Sequence, residues 1–158
     1  MNQKSLFHII IATGFGSGFS PFAPGTAGAL TATLIWIASA LVLNSPTSLL
    51  LVTSGLIILF FILGVWSANV MEKTWGKDPS KIVVDEMVGV WITLLSANMD
   101  EFYTVVAAFV LFRLFDIFKP LGIRKMEKLK GGLGIMMDDV LAGVYGFLLL
   151  FGFRCLIG

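Results

Sequence analysis

Five carboxylates stand in or beside apolar sequence in this chain: Asp85, Glu86, Asp116, Asp138 and Asp139. A charge at the centre of a membrane helix costs about 2.5–3.5 kcal/mol on insertion scales, so an ionisable group in such a setting points to function. Clustered carboxylates repel one another unless a cation neutralises them. Hard oxygen donors suit magnesium, which takes one or two carboxylates, waters and substrate phosphate. Cations accompany the acids. Arg113, Asp116 and Lys119 recur every third residue, which sets them along one side of a helix, and Arg124 follows shortly after. Asp116 can therefore be held by two cations, or it can bind metal while the cations take phosphate. The structural alternative is helix capping. Asp85-Glu86 and Asp138-Asp139 stand where helix N-termini are expected, and acids gain roughly 0.3–1 kcal/mol there. Asp116 stands near an expected helix C-terminus, where that account fails. For Arg113 and Asp116 the alternative is a charge pair that solves its own burial.

Two glycine-rich segments flank these residues. Gly14-Phe15-Gly16-Ser17-Gly18 leads through Ser20-Pro21-Phe22-Ala23-Pro24 into Gly25-Thr26, and Gly131-Gly132-Leu133-Gly134 precedes Asp138. Glycine lets backbone N–H groups approach a phosphate, and a following helix N-terminus favours the anion. Gly25 and Thr26 are therefore candidate phosphate contacts. The lysine and spacing of a Walker loop are missing, and a plain loop leading into the membrane explains the first segment equally well. Gly28 and Ala32, and Ala142, Gly143 and Gly146, read as close helix packing. His8 is the only histidine and Cys155 the only cysteine, which leaves no histidine-nucleophile, cysteine-loop or Ser-His-Asp phosphatase to assemble.

The elements that position these groups are membrane helices. The 158 residues are 57% hydrophobic and 13% charged, with a mean hydropathy of +0.92; soluble domains carry about 25% charged residues. The length fits a single domain, residues 1–158. A cationic face for nucleic acid is absent. A spanning helix needs about 20 apolar residues, and the pattern predicts an all-α integral membrane protein of about five transmembrane helices. These are Ala27–Leu43, Leu49–Val70, Ile82–Asn98, Phe102–Phe118 and Asp139–Ile157, with Leu6–Ile11 as a short N-terminal helix or interfacial segment. Pro120 requires the fourth to end near Lys119. Five passes put Lys4, the Glu72–Lys81 loop and the Lys119–Asp138 loop on one side, with nearly all the lysines and arginines. The two opposite turns carry none, which makes the first side cytoplasmic. Arg154, near the far end of the fifth span, is placed to snorkel outward. All five acids then fall at the cytoplasmic ends of the third, fourth and fifth spans.

Four segments in order resemble phosphatidylglycerophosphatase A: Phe15-Gly16-Ser17-Gly18 with Ser20-Pro21 and Pro24-Gly25-Thr26; Asp85-Glu86 with Gly89 and Trp91-Ile92-Thr93-Leu94; Phe112-Arg113 with Asp116 and Lys119-Pro120; and Gly131-Gly132 with Gly134-Ile135-Met136, Asp138-Asp139 and Ala142-Gly143. Leu121-Gly122 departs from the aromatic and second proline common in that family. The resemblance implies a phosphoric monoester hydrolase of the bacterial inner membrane. It would convert phosphatidylglycerophosphate to phosphatidylglycerol, with a magnesium requirement and an active site facing the cytoplasm. It implies that Asp85, Glu86, Asp116, Asp138 and Asp139 supply metal ligands and a base for water, and that Arg113, Lys119 and Arg124 neutralise phosphoryl charge. Direct attack by water and a covalent aspartyl-phosphate both stay open. The rival readings are a phosphatase of another lipid phosphate, such as phosphatidic acid, and a cation transporter. The transporter predicts polar groups continuing to the midplane, whereas here they stop near one face.

Overall fold

The computed structural model of the chain describes residues 3–157. Among these the regular elements are all helical: α1 (Gln3–Ala12), α2 (Pro24–Leu43), α3 (Pro46–Trp75), α4 (Val84–Leu94), α5 (Phe102–Phe118) and α6 (Gly132–Ile157), with short 3-10 turns at Ser17–Phe19 and Ile123–Lys128. Pro24 and Pro46 begin α2 and α3 at the position where a missing N–H costs nothing. The Ser45 side chain caps α3 by accepting from Ser48 N. α5 ends as Pro120 requires, with Lys119 in the left-handed region at φ 46.

α4 is the central element. Nine of its eleven residues are buried, and α2, α3, α5 and α6 all pack on it. The indole of Trp91, fully buried, donates to the Ala32 carbonyl of α2 at 2.8 Å. Against α6 the contact is backbone on backbone: a Cβ on Gly143 would strike the Gly89 carbonyl, and one on Gly89 would meet Asp139 O at 2.7 Å. Thr93 seals the same seam, donating to Gly143 O at 3.1 Å. The small residues thus let α4 and α6 approach closely, as in other membrane helix pairs.

α2, α3 and α6 are long and apolar enough to cross a membrane. α5, with 17 residues, is about 26 Å long at 1.5 Å per residue. The expected third span, Ile82–Asn98, contracts to the eleven residues of α4, about 16 Å and half the hydrocarbon thickness of about 30 Å. Past Leu94 the chain turns, with Ser96 donating to Thr93 O. The last span begins seven residues earlier than the sequence implies, at Gly132 instead of Asp139. Gly132 is what allows this: a Cβ there would strike Val65 O and sit 3.0 Å from Ala68 Cβ of α3. Asp138 and Asp139 therefore stand about 10 Å into α6, away from its N-terminus, and helix capping does not account for them.

The Asn44-Ser45 turn and the Leu95–Asp100 turn line one cavity of about 580 Å³ at the end opposite the acids. There Arg154 donates to Ser96 O at 2.7 Å and lies 3.6 Å from Glu101. His8 is also structural, bonded through Nδ1 to Ser67 Oγ at 3.1 Å with the Trp66 ring edge-on.

Candidate functional site

The starts of α2 and α4, the end of α5 and the second and third turns of α6 converge. Asp85 and Glu86 occupy the first turn of α4. One oxygen from each, with one from Asp139 of α6, lies within 4.8 Å of the others. Asp85 and Asp139 are buried and Glu86 is half-buried. Asp116 of α5 flanks this group and pairs with Arg113 one turn earlier on the same helix. Asp138 pairs with Lys119 across the α5–α6 seam at 2.6 Å. The five acids thus divide. Three crowd together, and two stand beside them, each held by a cation.

Among the described residues, the buried side-chain atoms without a hydrogen-bond partner are Asp85 Oδ1, Glu86 Oε2 and Arg113 Nε. All three belong to this one cluster. A buried polar atom left unpaired costs about 1–3 kcal/mol, more when charged, so their concentration here makes this cluster the candidate binding place among the described residues. Three carboxylate oxygens at this spacing suit a hard divalent cation, and the unpaired guanidinium nitrogen suits an anion.

Gly25 closes the site from α2. A Cβ there would strike Glu86 Oε1 and stand 3.3 Å from Arg113 Nη1. The start of α2, with Gly25 and Thr26, therefore abuts the acids and Arg113. Helix N-termini offer free N–H groups to an anion. The preceding glycines do otherwise. The N–H groups of Gly16 and Gly18 go to Thr13 O, that of Ser17 to Gly14 O, and those of Gly14 and Phe15 to Ile11 and Ile10 carbonyls. That segment is a closed turn on the fully buried Thr13, not a phosphate cradle. Thr13 carried no sequence signal beyond its place before Gly14. Gly131 and Gly132 likewise seat α6 against α3. Arg124 is exposed and lies outside the acid cluster, on the wall of a groove that Asp138 also lines.

Residues 10–154 match the family model described as Phosphatidylglycerophosphatase A. The chain belongs to the phosphatidylglycerophosphatase A family. It is 40% identical to Phosphatidylglycerophosphatase A of Escherichia coli, over 85% of this chain and 76% of that protein. It is 39% identical to Phosphatidylglycerophosphatase A of Haemophilus influenzae, over 92% and 87%. A protein of Bacteroides thetaiotaomicron named "Putative phosphatidylinositol-3-phosphatase" is 58% identical over the full length of both chains. No solved structure matches. Members of this phosphatidylglycerophosphatase family are phosphoric monoester hydrolases, and the apolar helices fit a bacterial membrane protein acting on a lipid.

Proposed function

We propose that the chain hydrolyses the terminal phosphate of phosphatidylglycerophosphate, giving phosphatidylglycerol and inorganic phosphate, in a magnesium-dependent reaction at the cytoplasmic face of the bacterial inner membrane. The observation that carries this reading is the concentration of unpaired buried atoms, Asp85 Oδ1, Glu86 Oε2 and Arg113 Nε, in one cluster of a phosphatidylglycerophosphatase A family member. The five-pass topology goes with it, α4 and its flanking turns joining the two ends, so that the cation-rich loops face the cytoplasm.

Magnesium would be held by Asp85, Glu86 and Asp139, whose oxygens suit it in type and lie within 4.8 Å of one another. Bound there, it would lower the pKa of a water and draw charge from the phosphoryl group. The chain's own residues do the rest. Arg113 and the N–H groups at the start of α2 take the phosphoryl oxygens. Asp116 fixes the Arg113 guanidinium, and Lys119 is aimed by Asp138. An acid of the cluster not occupied by metal receives the proton of the attacking water. A covalent aspartyl-phosphate uses the same residues.

A second reading has a specific observation in its favour: the full-length relative at 58% identity is named for phosphatidylinositol 3-phosphate. Phosphatidic acid is the further alternative. The test is phosphate release by detergent-purified protein from all three lipids, with magnesium and then with a chelator. The expected result is magnesium-dependent release favouring phosphatidylglycerophosphate, lost in Asp85→Asn and Asp116→Asn. Near-normal turnover in either variant would remove the site assignment, and preference for another lipid would replace the substrate.

A further inference from the structure

Beside the acid cluster lies an open groove of about 950 Å³ whose cations the hydrolytic chemistry does not use. Two segments far apart in sequence form it. Lys73 and Lys77 come from the end of α3 and the loop after it, and Arg124, Lys128 and Lys130 from the turn before α6; Asp138 forms part of the wall. Glu72 and Asp78 also line it, so with Asp138 three carboxylates face five cations and the groove stays net positive; Glu72 Oε1 accepts from Asp78 N at 3.2 Å. The positive-inside rule explains the number of cations on this side. It does not explain why they surround one concavity.

The walls are fixed to the fold. Ile123, which opens the 3-10 turn, is fully buried, and Tyr145 of α6 donates to Leu121 O at 3.0 Å. Across the groove, Asn69 of α3 accepts from Gly132 N at 2.8 Å. Asp138, with one oxygen on Lys119, is the residue before Asp139. The groove therefore meets the edge of the acid cluster at Asp138, within reach of a ligand whose other phosphate lies among the acids.

We propose that this groove is a specificity subsite that holds the second, non-hydrolysed phosphate of a lipid headgroup bearing two. It rests on the reading of the acid cluster as a phosphatase centre and deepens it. Phosphatidylglycerophosphate and phosphatidylinositol 3-phosphate both carry a phosphodiester beside the phosphomonoester. Phosphatidic acid carries one phosphate and leaves the groove empty. The subsite selects for the two-phosphate class and against phosphatidic acid.

The test compares kcat/KM for phosphatidylglycerophosphate and phosphatidic acid in mixed micelles. The proteins are the wild type, the Lys77→Gln/Lys128→Gln variant, and Lys125→Gln as an exposed lysine outside the groove. The ratio between the two lipids should fall roughly tenfold in the double variant, through KM, and stay unchanged in Lys125→Gln. Equal losses on both lipids, or no loss, would overturn the subsite. Calorimetric binding of the deacylated two-phosphate headgroup, beside glycerol 3-phosphate and inorganic phosphate, separates this from the activity. Lysine-dependent preference for the two-phosphate headgroup without turnover would support the groove and sink the phosphatase reading. Turnover with no such preference, or inorganic phosphate binding as well as the headgroup does, would sink the groove alone.

Discussion

Lys119 Nζ lies 2.6 Å from Asp138 Oδ2, so the residue that ends α5 is tied to the acid that borders the cluster on α6. Their side chains are 22% and 10% exposed, between the surface pairs that contribute little and the buried pairs that cost most to break. In a double-mutant cycle of Lys119→Met and Asp138→Asn, thermal unfolding in detergent should give a coupling of roughly 1 kcal/mol. Strict additivity would show that the contact is incidental.

Gly25→Ala places a methyl group against Glu86 Oε1 and Arg113 Nη1. Displacing either should lower kcat by roughly 10- to 100-fold, since misplacement by about 1 Å costs that much. Circular dichroism should stay unchanged, because the three atoms nearest the added methyl all belong to the Glu86 and Arg113 side chains, not to backbone. A fully active Gly25→Ala would show that α2 is no part of the site.

Gly143→Ala drives a side chain into the Gly89 carbonyl. Overpacking of this kind costs typically 1–3 kcal/mol, which should appear as a lower unfolding temperature together with reduced activity. An unchanged unfolding temperature would mean that the α4–α6 seam is looser than described.

Magnesium should raise the unfolding temperature of the wild type in a concentration-dependent way, because a ligand that binds only the folded state stabilises it. The effect should vanish in Asp139→Asn, which removes one of the three clustered oxygens. A shift of equal size in that variant would place the ion elsewhere.

Much of this site was legible in the sequence because membrane context makes every buried charge conspicuous. Arg113, Asp116 and Lys119 stood out by spacing, and Pro120 fixed the end of α5. Asp138-Asp139 read as a helix start because Gly131-Gly132-Leu133-Gly134 has poor helix propensity. Tertiary packing on Val65 and Ala68 overrides that propensity and begins α6 at Gly132. The Gly14–Gly18 segment stayed open between two readings for the opposite reason. Glycine signals unusual backbone geometry, and only the hydrogen bonds to Thr13 and its neighbours reveal that the N–H groups are already used. The division of five acids into a crowded three and a paired two depends on contacts between helices, which no local pattern records.

Gly89 follows Asp85 by four residues, and Gly143 follows Asp139 by four. The point where α4 and α6 touch therefore lies one turn, about 5–6 Å, below both acids. It is the pivot of a pair of short levers. A change of about 10° in the angle between the helices would move the two carboxylates by about 1 Å relative to each other. A change of only about 3–5° spans the difference in ligand distance between magnesium and calcium. With a cation held between the two acids as proposed, the two glycines would turn a packing angle into a gauge for ion size, and substitutions far from any charge, anywhere that tilts α4 on α6, would acquire a route to cation choice.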